Sequence, residues 1–163
     1  IKLWTTEGKL LDTLSGHNDW ILDIKFSPDG KLIAAASHDQ SIKIWNLQGE
    51  LIKTLKGHIN TVNSIDFSSD GKLIVSGSED NTIKLWSRKG DLLTTLNQHQ
   101  GGVRKVAFSP DGKSIISGGS DGIIILWSFD LGALIEQGCD WIGDYLKANP
   151  NVKEEEKILC ELK

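Results

Sequence analysis

Methionine is absent from the 163 residues, cysteine occurs twice, and long apolar runs are missing altogether. Stretches such as Ile123–Trp127 fall far short of the roughly 20 apolar residues that a membrane-spanning helix needs. No membrane partner is expected. Cys139 and Cys160 both lie in the last quarter of the chain, and one disulfide is too few to frame a chain this long. A reducing, cytoplasmic setting is the expectation. An excess of basic residues is also missing: 18 Lys and Arg face 22 Asp and Glu, for a net charge of −4. Residues 1–127 carry 14 of each sign, and residues 128–163 carry 4 basic against 8 acidic. That balance excludes the basic footprint of a nucleic-acid binder. The chain opens Ile1-Lys2-Leu3-Trp4, without a basic head, an apolar stretch and a cleavage site, and is read as the later part of something longer.

What the chain does have is a period. Trp4, Trp45, Trp86 and Trp127 are spaced by 41 residues, and the same interval links His17, His58 and His99; Asp39, Asp80 and Asp121; Phe26, Phe67 and Phe108; and Gly30, Gly71 and Gly112. A repeat of this length marks a supersecondary unit that cannot bury its own apolar faces and must stack on its neighbours.

Within Leu51–Trp86 the pattern reads as four short strands separated by turns. Leu51, Ile52 and Leu55 mark one strand; Val62, Ile65 and Phe67 mark a second, whose spacing of three and then two predicts a bulge. "SSDGK" (68–72) and its counterparts "SPDGK" at Ser27 and Ser109 supply Asp-Gly turns. Leu73–Ser78 and Thr82–Trp86 complete the unit, which is expected to be an antiparallel four-stranded sheet.

Gly16-His17, Gly57-His58, "SPDGKLI" from Ser27, the Ser-x-Asp steps and "IKLW" from Ile83 together resemble the WD-repeat signature over residues 1–127. The resemblance implies an all-β fold of β-propeller blades: three four-stranded blades in an incomplete ring, ending at Trp45, Trp86 and Trp127. It also implies a buried hydrogen-bonded set in each blade. These sets are His58, Ser76, Asp80 and Trp86; His99, Ser117, Asp121 and Trp127; and, with Ala35 in place of the hydroxyl, His17, Asp39 and Trp45. Ser37 and Ser78, two residues before the Asp, are alternative hydroxyls. Repetition of the set at one period favours a structural role over a nucleophilic triad, and the periodic histidines, one per blade, do not suit a metal. No catalytic residue, metal or cofactor is expected.

Three blades fall short of the roughly four to eight that close a propeller, so upstream blades or another copy are expected to complete the ring. Residues 128–163 are expected to form a short helical extension packed on the last blade, with apolar positions including Trp141, Ile142 and Leu146, and a capping box at Asn151 and Glu154. The stretch "CDWIGDYLKANPNVKEEEKILC" resembles tails of bacterial, especially cyanobacterial, WD-repeat proteins.

Function follows as an expectation: a non-catalytic scaffold for protein partners, or the sensor end of a signalling ATPase or protein kinase. By the resemblance, the rim positions that contact partners are Trp20, Leu22 and His38; Thr61, Asn63 and Glu79; and Gly102, Arg104 and Ser120. They differ in every unit, and Trp20 and Leu22 place large apolar groups at exposed positions. Against this, Trp20 could simply cover the loop beside His17.

Overall fold

The computed structural model describes residues 1–128, and these form thirteen antiparallel strands with no helix among them. A two-stranded hairpin, β1 (Lys2–Trp4) and β2 (Leu10–Thr13), comes first. A four-stranded sheet follows: β3 (Ile21–Phe26), β4 (Leu32–Ser37), β5 (Ser41–Asn46) and β6 (Leu51–Lys56). The next is β7 (Val62–Phe67), β8 (Leu73–Ser78), β9 (Ile83–Ser87) and β10 (Leu92–Leu96). A three-stranded sheet ends the series: β11 (Val103–Phe108), β12 (Ser114–Gly119) and β13 (Ile124–Ser128).

Against the expectation of three four-stranded blades, the described residues form two four-stranded sheets, with a three-stranded sheet after them and a two-stranded one before. The reason is local. Asn46 to Gly49 form a tight turn, closed by Gly49 N–H donating to Asn46 O at 3.2 Å, so Leu51–Lys56 folds back on β5. The connection through Gly57-His58 then carries the chain to the next sheet. The first strand of each sequence unit thus belongs to the sheet of the unit before.

The expected bulge lies between Val62 and Ser64, and the same register shift recurs at Ile21/Asp23 and Val103/Lys105. The Ser-x-Asp-Gly turns are also built alike. Ser27 Oγ donates to Asp29 Oδ1 at 2.6 Å and accepts Leu32 N–H at 2.9 Å, while Gly30 takes a φ of 67°, a left-handed conformation that costs glycine little.

Apolar layers hold successive sheets together. Ala34, Ala36, Ile42 and Ile44 of one sheet pack against Val62, Ile65 and other buried residues of the next. Leu14, with Ile1 and Leu3, packs the hairpin onto Ile33, Ala35 and Trp45. At roughly 1.5–3 kcal/mol for each fully buried large aliphatic side chain, these layers between sheets dominate the folding energy. The helical extension expected over 128–163, and its capping box, lie outside the described residues apart from Ser128 in β13.

Candidate functional site

In the second four-stranded sheet, His58 sits in the loop before β7, Ser76 on β8, Asp80 in the β8–β9 turn and Trp86 on β9. Trp86 Nε1–H donates to Ser76 Oγ at 2.9 Å, and Ser76 Oγ lies 2.8 Å from His58 Nε2. His58 Nδ1 lies 2.8 Å from Asp80 Oδ2, which also accepts the Ile59 amide at 3.0 Å. Asp80 Oδ1 accepts the amide and hydroxyl of Thr82. A chain of donors runs from indole to hydroxyl to imidazole to carboxylate, with Nδ1 carrying the ring proton. His99, Ser117, Asp121 and Trp127 repeat the arrangement, at 2.8 Å for each of the three links.

The first sheet departs from it. His17 Nδ1 keeps its 2.8 Å contact with Asp39, whose other oxygen accepts the Ser41 hydroxyl at 2.6 Å. Ala35 offers no hydroxyl, so His17 Nε2 is buried without a partner, and Trp45 Nε1–H turns to Ser15 O at 3.2 Å. Ser37 does not take over. Its hydroxyl accepts the Asp39 amide at 3.1 Å, as Ser78 does for Asp80.

Burial of Asp80 opposes its ionisation, but hydrogen bonds from His58 and Thr82, attraction to the imidazole and the Ile59 amide outweigh it and hold the carboxyl well below the usual carboxylate range. Burial likewise opposes Asp39, and Ser41, the Asn18 amide and His17 overcome it. The His58 and His99 sets contain the residue types of a nucleophilic triad, but Ser76 is fully buried and its oxygen already accepts the indole N–H. A substrate has no route to it.

The other face of the question is the rim. One backbone bond recurs at the same end of each sheet: His38 N–H to Trp20 O, Glu79 N–H to Thr61 O and Ser120 N–H to Gly102 O, at 2.9, 2.9 and 2.8 Å. The structure therefore brings these six together in pairs. Trp20 is 75% exposed and its ring lies beside that of His38, with centroids 6.2 Å apart. His38 Nδ1 in turn lies 3.0 Å from Asp19 Oδ2. Leu22 and Ser120 are exposed. Asn63 donates to Glu79 Oε1 and Val103 O, and Arg104 pairs with Glu79. Thr61 and Gly102 are buried, and a Cβ on Gly102 would stand 2.2 Å from the Glu79 carboxylate.

Two features escaped the sequence reading. Ile59, 82% exposed, is in the loop just before Thr61 and has polar counterparts at Asn18 and Gln100. On the bulged strands, Asp23 Oδ2 accepts from Ser64 Oγ, Ile65 N–H and Lys105 Nζ at 2.9–3.1 Å, tying three sheets at one carboxylate. Polar residues at one repeat position, Asp23, Ser64 and Lys105, were the available signal. Among the described residues no group of His, Cys, Asp and Glu could hold a metal ion, and no helix is long and apolar enough to cross a membrane.

Compared with known families, residues 8–46, 49–87 and 90–128 match the WD40 model, described as WD domain, G-beta repeat. The chain belongs to the WD40 family. Its three matches end one residue beyond Trp45, Trp86 and Trp127. Among curated proteins this WD40 chain is 48% identical over 42 residues to the nuclear distribution protein PAC1 of Tuber melanosporum, covering 26% of this chain and 9% of that one. The nuclear distribution proteins nudF of Aspergillus terreus and Emericella nidulans are 45% and 43% identical over the same length, covering 26% of this chain and 9% and 10% of theirs. The matched stretch is thus about one repeat long and spans about a tenth of each relative. These relatives are fungal, in contrast to the bacterial resemblance of the tail. Their names are those of nuclear distribution proteins, not of an ATPase or kinase.

Proposed function

We propose that this WD40 chain is a non-catalytic scaffold in the cytoplasm, and that it takes protein partners on the rim where Trp20, Leu22, His38 and Ile59 lie. The observation that carries this reading is the exposure of Trp20: a large indole held at three-quarters exposure is the residue type most enriched in interface hot spots. The buried sets support it from below. By fixing the ends of each sheet through side-chain hydrogen bonds, they leave the rim free to vary without cost to the fold. Asn63, Glu79, Arg104 and Ser120 form a polar border to the apolar centre, the arrangement of a protein interface. The His58 and His99 sets serve the fold and not a reaction.

The test is capture of partners by the purified chain and by its Trp20→Ser variant, with each recovered protein then measured by direct titration. Partners that bind the parent chain and bind Trp20→Ser at least about thirtyfold more weakly, the effect of a hot spot of about 2 kcal/mol or more, are expected. Partners that bind both alike, with the variant's unfolding midpoint unchanged, would move the interface elsewhere.

A further inference from the structure

The two ends of the sheets differ in charge. Six connections gather at the rim end, residues 14–20, 38–40, 57–61, 79–82, 97–102 and 120–123, and together they hold five acidic residues and no Lys or Arg. The six connections at the opposite end hold six acidic and six basic residues. The rim acids are Asp19, Asp39, Glu79, Asp80 and Asp121. Arg104 neutralises Glu79, and Lys105, the next cation along β11, is held by Asp23. Asp80 and Asp121 lie under the rim, and no Lys or Arg among the described residues pairs with them. The imidazole that faces each is neutral: Nδ1 carries the proton, and Nε2 accepts a serine hydroxyl whose oxygen is taken up by the indole N–H. Burial opposes ionisation of both carboxyls, and their hydrogen bonds outweigh it. Each therefore leaves one uncompensated negative charge beneath the rim, and that end of the sheets attracts cations.

At the surface of this end Asp19 stands next to Trp20, its side chain 43% exposed. Asp19 Oδ1 accepts the Trp20 amide at 2.8 Å, and Oδ2 lies 3.0 Å from His38 Nδ1. Those two contacts use about half of the roughly four acceptor sites of a carboxylate. The His38 ring covers one side of the indole, tilted by 54°, and the exposure of Trp20 leaves the rest of its π surface open. The combination occurs once in the three repeats. Asp19 has Asn60 and Gly101 as its counterparts, and Trp20 has Thr61 and Gly102.

We propose that the protein partner of this rim is basic, and that one of its Lys or Arg side chains lies over the Trp20 indole with the cationic head at Asp19. The proposal rests on the reading of the rim as the docking face and names the chemistry that this face selects. The negative face of an indole attracts a cation, more strongly where a carboxylate stands beside it. The stems of Lys and Arg are apolar, which suits the body of the ring, and Ile59 on the rim of the next sheet offers apolar surface to the neutral stretches of the same segment. The charge beneath the rim adds long-range attraction, which speeds encounter with a basic segment and disfavours an acidic one.

The probe is a blocked peptide of alternating glycine and arginine, titrated into the full chain against the same peptide with citrulline, which keeps the shape of arginine and lacks its charge. The arginine peptide should shift the Trp20 indole N–H resonance, assigned by its loss in Trp20→Ser, and the citrulline peptide should leave it in place. Binding should weaken severalfold as salt is raised. Asp19→Asn and Trp20→Ser, both at exposed positions and with unfolding midpoints unchanged, should each weaken it by about two- to fivefold. An arginine peptide that does not bind, that binds no better than the citrulline peptide, or that binds both variants as it binds the parent chain would overturn the proposal. A protein partner that needs Trp20 but is indifferent to salt and to Asp19→Asn would overturn it too and leave the docking face standing, whereas partners indifferent to Trp20→Ser would remove both.

Discussion

Ala35→Ser puts a hydroxyl where the second and third sheets have Ser76 and Ser117, and its effect can be worked out from the three sets together. In the parent chain His17 Nε2 is buried and unpartnered, a condition that costs about 1–3 kcal/mol for a polar group. A serine at 35 would donate to that nitrogen and could accept Trp45 Nε1–H, which now reaches Ser15 O at 3.2 Å. Against the gain stand the burial of one hydroxyl and the loss of the Ser15 contact. The net expectation is a stabilisation of about 1 kcal/mol. Space is not the obstacle, because Ser76 occupies the same place beside Trp86 in a sheet of the same register. The reciprocal change, Ser76→Ala, removes the partner of both His58 Nε2 and Trp86 Nε1. The first sheet indicates what would follow: the indole would turn to Lys56 O, one period after Ser15, while His58 Nε2 stays unpaired, for a loss of about 2 kcal/mol. Equilibrium unfolding in urea, with the midpoints compared at constant slope, measures both. A midpoint for Ala35→Ser at or below that of the parent chain would refute the argument, as would a Ser76→Ala variant indistinguishable from it.

Two further outcomes follow from the same geometry. Asp39 and Asp80 have folded pKa values below their unfolded ones, so the stability that they contribute is complete above the usual carboxylate range and is lost as pH falls from about 4 toward the folded values; urea midpoints should be level from pH 7 to pH 5 and drop below pH 4, and a midpoint level to pH 3 would contradict it. Gly122 holds a φ of 75° where Gln40 and Asn81 hold 67°, and nothing lies within 4 Å of where its Cβ would stand, so Gly122→Ala should cost about 1 kcal/mol from backbone strain alone, read as a lower thermal midpoint; an unchanged midpoint would count against strain at that turn.

Much of the fold was legible because the chain states it three times. The 41-residue interval placed the tryptophans, the turn aspartates and the turn glycines, and the uneven spacing of Val62, Ile65 and Phe67 announced the bulge. What spacing could not convey was membership. Leu51–Lys56 follows Trp45 in sequence and precedes Val62, and only the tight turn at Asn46–Gly49 assigns it to the earlier sheet. Side-chain volume at these positions escaped the repeat for a related reason. Thr61 and Gly102 align with Trp20, but alignment ignores side-chain volume, and beside a small residue Glu79 folds inward to meet Asn63 and Arg104. Residues 129–163 escape the repeat and lie outside the described structure, so the helical reading of that stretch stays with the sequence.

The contacts at the bulged strands bear on how such a chain holds together. In a stack of repeats, stability is the sum of the units and of the boundaries between neighbours. The boundaries here have a polar component that recurs at an interval of 42: Asp23 accepts Ile65 N–H, Ser64 accepts Val106 N–H and Asp66 accepts Phe108 N–H. Each uses a side chain of one sheet to satisfy a backbone donor on the edge strand of the next. Lys105 breaks the neighbour rule. Its ammonium crosses from the third sheet to Asp23 of the first, 82 residues away, and Asp23 is held below the usual carboxylate range against its burial by this ion pair with the Ile65 amide and the Ser64 hydroxyl. One carboxylate thereby couples three sheets, and a loss at Asp23 reaches the outermost sheet directly instead of passing through the one between.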